Sequence, residues 1–362
     1  MITPLLELRE LIKKNKLDAV LISSHSNIVY LTNYSGFSKE EREAYLLVTK
    51  NKQYILTDGR YAQAVEHLIT NFELIEISSK LSFENKLKDL AKKNKIKKLG
   101  FEPHDMTVLE HKKLSRLFND LNHLTLNSLR SIKTPEEILF IEKACKLGDK
   151  TFSYILKKIK EGISEKELAF EIEFFIKKHG ADISFPPIVA FGKNSAIPHH
   201  VPTNNQLTNN QIILLDFGVK LDNYCSDMTR TVFFGSANAE FKRMYETVLA
   251  AQQKSIEKIN ILMSQSPNIP ASQIDRAARD YIISKGYKTI PHSVGHGIGL
   301  EVHESPRLSP KSRDILKEGM VFSIEPGIYI PEIGGVRIED VVVLEKSGPR
   351  LLTKSTHQPI DI

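Results

Sequence analysis

The chain has 362 residues, a hydrophobic fraction of 41% and a charged fraction of 26%. These values exclude disordered and collagen-like chains, and at roughly 150 residues per domain the length predicts two domains. The net charge of +6 comes mostly from lysines scattered along helical stretches, such as Lys13, Lys14 and Lys16, or Lys92, Lys93, Lys95, Lys97 and Lys98. No aromatics interleave them, so they read as solvated helix faces and no nucleic-acid partner is expected.

Only two cysteines occur, Cys145 and Cys225, and neither lies in a Cys-x-x-Cys pair, which argues against a disulfide framework or a cysteine zinc site. Residues 1–16 carry Glu7, Arg9, Glu10 and three lysines, so they lack the apolar core of a signal peptide. No apolar run approaches the roughly 18 residues of a membrane span. The expectation is a cytoplasmic protein with no membrane partner.

Residues 5–14 are periodic at helical spacing, and residues 19–22 form a short apolar strand candidate. Further strands are expected at 43–49, 53–57, 72–77 and 98–101, with helices at 61–68 and 83–93. Strands alternating with helices predict an open α/β sheet for the first domain, residues 1–131. The second, residues 132–362, opens with Thr134-Pro135-Glu136-Glu137, an N-cap, a proline at the first helical position and a capping-box glutamate that start a helix to about residue 159. Ser164 with Glu167 repeats the capping box and Gly180 supplies a stop. Strands at 211–219 and 224–234, helices at 240–263 and 272–284, and strands at 321–330 and 336–344 follow. This second domain reads as α+β with a largely antiparallel sheet.

Asp216 lies inside the apolar strand Leu214-Leu215-Asp216-Phe217-Gly218, and Asp227 follows in the next strand. A turn centred on Leu221 and Asp222 sets 216 directly across from 227, with Cβ atoms about 4.5–5.5 Å apart. Two such carboxylates repel unless a cation or a shared proton holds them, and a metal is the simpler answer. Glu325 and Glu339 flank a turn at 331–335; a five-residue loop centred on Ile333 makes them diagonal neighbours on one face. His296 stands between glycines in Gly295-His296-Gly297-Ile298-Gly299, where the backbone has room to crowd an ion. Singly, each has a plainer reading: an Asp before Gly as a turn acid, a His among glycines as a loop residue, a Glu before proline as a strand end. Together, four carboxylates and an imidazole suit a pair of divalent ions such as Mn²⁺, with Co²⁺, Fe²⁺ or Zn²⁺ as alternatives.

In this order the motifs Asp216-Phe217-Gly218, Ser226-Asp227-Met228-Thr229-Arg230-Thr231, Gly295-His296-Gly297-Ile298-Gly299-Leu300-Glu301-Val302-His303-Glu304, Glu325-Pro326-Gly327 and Gly335-Val336-Arg337-Ile338-Glu339-Asp340 resemble the pita-bread metallopeptidases of family M24. That family includes methionine aminopeptidase, Xaa-Pro aminopeptidase and Xaa-Pro dipeptidase (prolidase). The resemblance implies a dinuclear centre held by Asp216, Asp227, His296, Glu325 and Glu339, with Asp227 and Glu339 bridging. Tyr30-Leu31-Thr32, Asp58-Gly59-Arg60-Tyr61 and the approach from Leu129 to Glu137 resemble the creatinase-type N-terminal domain of the proline-specific members, which methionine aminopeptidases generally lack.

The resemblance also implies His199, His292, His303 and Arg337 as substrate-binding residues, with His199, His303, Glu325 and Arg337 catalytic. His200 stands where many relatives carry a small or different residue. The implied activity is hydrolysis of the bond between an N-terminal residue and proline, by a homodimer acting on peptides with proline second. Prolidase acting on dipeptides is the alternative. A non-catalytic binding protein and a metal-free creatine amidinohydrolase share the plan, and the retained ligands argue against both.

Overall fold

The computed structural model describes residues 4–266 and 268–362. The chain divides into two compact units, Met1–Arg130 and Ser131–Ile362.

The first unit is a six-stranded mixed sheet in the order Glu73–Ile77, Gln53–Asp58, Ala44–Thr49, Ala19–Ile22, Lys98–Phe101, Asp120–His123. Both faces are covered, which is why the central strands are apolar throughout rather than alternating. Val20, Ile22, Leu46 and Val48 pack on one side with Leu8 and Ile12 of the helix Pro4–Lys14. Leu21, Leu47 and Tyr54 pack on the other with Leu87 and Leu90 of the helix Phe83–Lys93.

In the second unit both capping boxes form. Thr134 caps the helix Pro135–Ile155 and Ser164 caps Glu165–Lys178, each exchanging hydrogen bonds with the glutamate three residues on. The first of these helices stops at Ile155, short of the expected residue 159. The two helices cover one face of the three-stranded antiparallel sheet Ile188–Phe191, Gln211–Phe217, Met228–Phe234. The helices Ala239–Gln265 and Ala271–Ser284 pack on a five-stranded antiparallel sheet, Glu304–Leu308, Gly295–Gly297, Val321–Ile324, Asp340–Glu345, Gly348–Leu351. Among the described residues no helix is long and apolar enough to cross a membrane.

Candidate metal centre

Strand alternation aims the acids. Leu215 and Phe217 are buried with the helices Pro135–Ile155 and Glu165–Lys178, so Asp216 between them faces the other way. Ile324, Ile338 and Val342 sit in the core with the helix Ala239–Gln265, which turns Glu325 and Glu339 away from it. All four acids and His296 line one cavity of about 830 Å³.

The registers differ from the sequence expectation in both hairpins. Asp216 pairs with Thr229, not with Asp227. The two-residue turn is Asp222-Asn223, closed by Leu221 opposite Tyr224, and both turn residues have positive φ, 50° and 70°, as the tight turn favoured by strand twist requires. Asp227, two positions before Asp216's partner Thr229, is therefore diagonal to Asp216 on the same face. In the second hairpin Ile324 pairs with Asp340 and Gly327 with Arg337, so Glu325 falls directly opposite Glu339 rather than diagonal to it. The connection is three residues, 331–333, between Ile330 and Gly334. Pro326 has no N–H to give the ladder, and the hairpin splits into two pieces there.

The glycines beside His296 also serve differently from expectation. A Cβ at Gly295 would lie 2.0 Å from the Ser323 carbonyl oxygen and one at Gly297 2.2 Å from that of Ser305. They admit the neighbouring backbone, which seats the histidine.

Asp227, His296 and Glu339 offer ligand atoms that all lie within 4.8 Å of one another. His296 Nε2 is 3.3 Å from Glu325 Oε1 and 3.6 Å from Asp227 Oδ2. Asp216 Oδ2 accepts from Arg337 Nη2, while Asp216 Oδ1 and Asp227 Oδ1 are buried with no hydrogen-bond partner among the described residues. Burial, reinforced by the negative charges of Glu339, Asp216 and Glu325, pushes the Asp227 carboxyl well up. Burial together with Glu325 and Asp216 does the same to Glu339. Burial also raises Asp216, against the opposing charge of Arg337. Glu325 alone goes down, to about 2: burial would raise it, but the hydrogen bond and charge of His296, with the charge of Arg337, outweigh that.

Four carboxylates thus converge on one guanidinium and one imidazole, with two buried oxygens unsatisfied. Such a cluster is costly unless compensated, and oxygen donors with a single imidazole fit divalent cations of the hard to borderline class. The residues present fit a metal site.

Around it, Arg337 donates from Nε to Thr229 Oγ1 (3.0 Å) and from Nη1 to Tyr329 OH (3.0 Å). Thr229 Oγ1 donates to Glu339 Oε2 at 2.7 Å. The Tyr329 hydroxyl lies 2.8 Å from His292 Nε2, and His292 Nδ1 lies 2.7 Å from the Ser293 carbonyl oxygen. This pattern assigns the proton of a neutral His292 to Nδ1 and lets Nε2 accept from Tyr329; burial lowers the proton affinity of His292 accordingly. His303 packs edge-on to His296 at 4.4 Å between ring centroids, and burial followed by the His296 charge lowers its proton affinity. His199 lines the same cavity. His200 borders it too, but is buried, and its Nε2 bonds Glu165 Oε2 at 2.8 Å.

Sequence reasoning missed Tyr329 and Thr229. Period-two spacing from chosen residues held the signal: Tyr329 is four positions past Glu325 and Thr229 two past Asp227, each on the same face.

The Creatinase/Prolidase N-terminal domain matches residues 4–132, and Metallopeptidase family M24 matches residues 140–346. An Xaa-Pro dipeptidase of Pyrococcus horikoshii is 37% identical over 97% of this chain and 97% of its own. The solved Xaa-Pro dipeptidase from Bacillus anthracis superposes with a TM-score of 0.92 at 33% identity, covering 99% of both chains. The X-Pro aminopeptidase from Thermotoga maritima does so with 0.87 at 31%, covering 98% of this chain and 99% of that one. The chain is a metallo-exopeptidase with a creatinase-like N-terminal domain and a pita-bread catalytic domain, and it belongs to metallopeptidase family M24.

Proposed function

We propose that the protein hydrolyses the bond between an N-terminal residue and a following proline, using two divalent ions held by Asp216, Asp227, His296, Glu325 and Glu339, with Mn²⁺ the first to test. The observation that carries the metal reading is the pair of unsatisfied oxygens on Asp216 and Asp227 inside a buried acidic cluster. Bound, such ions supply a water of lowered pKa and a polarised substrate carbonyl. Glu325 accepts the proton of the attacking water. His199 and His303 would stabilise the oxyanion of the tetrahedral intermediate, and the proton taken by Glu325 would pass through their imidazoles to the departing proline nitrogen as its bond to the carbonyl carbon breaks. Arg337, locked by Asp216, Thr229 and Tyr329, and His292 orient the substrate.

A bond to proline lacks the N–H by which a general peptidase grips its substrate, and the ring fixes φ; that is the physical case for a dedicated site. The proposed assembly is a homodimer, by analogy with the resemblance. The two relatives named Xaa-Pro dipeptidase support a dipeptide substrate, and the Thermotoga X-Pro aminopeptidase supports longer peptides, so the dipeptide is the first to try.

The test is hydrolysis of Ala-Pro and Ala-Pro-Ala by chelator-stripped protein refilled with Mn²⁺. Metal-dependent cleavage that disappears in Asp227→Ala is the expected result. A dominant rate on Ala-Pro assigns a dipeptidase, and one on Ala-Pro-Ala an aminopeptidase. Cleavage of neither overturns the proposal and favours a binding protein of this fold.

A further inference from the structure

We infer that Glu165 and His200 are positioning residues for His199, clamping the segment that carries it against the cavity. This rests on the proposed function in taking His199 as a substrate-facing group.

Glu165 opens the helix Glu165–Lys178 and is fully buried. Its Oε1 accepts from Phe191 N (2.9 Å) and Asn194 Nδ2 (2.8 Å). Its Oε2 accepts from His200 Nε2 (2.8 Å), Thr203 N (2.9 Å) and Thr203 Oγ1 (2.7 Å). All five donors belong to one stretch, residues 191–203, which runs from a strand end through the short 3₁₀ helix Gly192–Ala196 and past His199.

A buried carboxylate is an expensive way to hold a loop, yet here every bond it accepts goes to the same loop. The hydrogen bonds, with that from His200 foremost, outweigh burial and hold Glu165 down at about 2, so the anchor stays charged at any working pH.

The other side of the segment is fastened to the hairpin of Glu339. Arg337 Nη1 donates to the Pro198 carbonyl oxygen at 3.2 Å, and Gly335 N donates to Ser195 Oγ at 2.7 Å. His199 therefore sits between two pinned neighbours, Pro198 tied to Arg337 and His200 tied to Glu165. Among the described residues no side-chain hydrogen bond holds the His199 imidazole itself, so its aim comes from the backbone at 198–200. The two adjacent histidines both border the cavity but divide labour: the His199 ring is held by no side-chain partner among the described residues, and the His200 ring is bonded to the anchor. His200 must carry its proton on Nε2 to donate to Glu165, a tautomer assigned from the hydrogen bond.

The experiment is a double-mutant cycle on the full-length Mn²⁺ enzyme with whichever of Ala-Pro and Ala-Pro-Ala the wild type cleaves. Glu165→Gln and His200→Ala are each expected to lower kcat by about tenfold to a hundredfold, the range seen for supporting groups at such sites, with KM and metal affinity little changed. His200→Gln, which keeps an N–H donor, should recover much of the loss. In a His199→Ala background the same substitutions should have almost no further effect, because the residue they aim is gone.

Equal fold-losses in both backgrounds, or losses that track metal content or melting temperature, would overturn the inference. A wild type that cleaves neither peptide sinks the functional reading instead, and imidazole ¹⁵N–¹H spectra then judge the clamp. The clamp predicts His200 as the Nε2–H tautomer and His199 signals displaced in Glu165→Gln; unmoved His199 signals reject it.

Discussion

Glu339 and Asp340 are adjacent in sequence and both buried, and they make opposite use of a carboxylate. Asp340 turns toward the helix Ala239–Gln265 and is saturated, accepting from Arg230 Nη2 (2.7 Å), Thr353 Oγ1 (2.6 Å), Gln252 Nε2 (2.8 Å) and His357 Nε2 (2.6 Å). The Arg230 charge and these bonds outweigh burial and keep its pKa low. Arg230 in turn donates to the backbone carbonyls of Thr229 and Glu339. Glu339, facing the cavity, meets Glu325, Asp216 and Asp227, and its pKa is driven up. The difference separates structure from function: a buried charge with its countercharge in the fold holds the fold together, and one without it marks where a cation from outside belongs.

The largest expected break in that comparison is Asp340→Asn. It leaves Arg230 buried without its partner, so unfolding stability should fall by about 3–5 kcal/mol, to the same extent with and without metal. Urea titration of both forms measures it, and a loss confined to the metal-loaded form would place Asp340 with the site instead of the scaffold. Thr229→Val should act more gently and on the other side of the divide. It removes the hydroxyl that donates to Glu339 and accepts from Arg337, and metal affinity should drop by about tenfold to a hundredfold with little change in metal-free stability. Calorimetric Mn²⁺ titration reads it; unaltered affinity would mean that the hydroxyl only fills space.

Much of this was legible in the sequence, for reasons that are local. The strands Ala19–Ile22 and Lys98–Phe101 and the helix Phe83–Lys93 appear at their expected bounds because apolar pattern and flanking polar residues agree. The capping boxes at Thr134 and Ser164 fixed two helix starts. The helix His25–Thr32 escaped because its support is remote: Ser24 caps nothing with its side chain, and Glu102, far along the chain, accepts from Ser23 N, Ser24 N and Asn27 Nδ2. The strand Asp120–His123 is polar and owes its existence to parallel pairing with Lys98–Phe101. In the site, the five expected metal-binding residues come together around one cavity, but the registers were off in both hairpins. Turn geometry sets register, and the positive φ values at Asp222 and Asn223 were not readable from spacing alone. Glu165 gave no local signal because its loop partners, Phe191 to Thr203, lie 26 to 38 positions away.

The most direct measurement is thermal melting of chelator-stripped wild type and Asp227→Asn, each with and without Mn²⁺. The wild type should gain stability with metal by mass action, about 2.7 kcal/mol at a hundredfold excess over Kd. Asp227→Asn, relieved of a repelling charge, should melt at or above the stripped wild type and gain little from the ion. If Asp227→Asn instead weakens the stripped protein as Asp340→Asn does, or if the wild type gains nothing from metal, the cavity acids are scaffold and the metal centre is refuted.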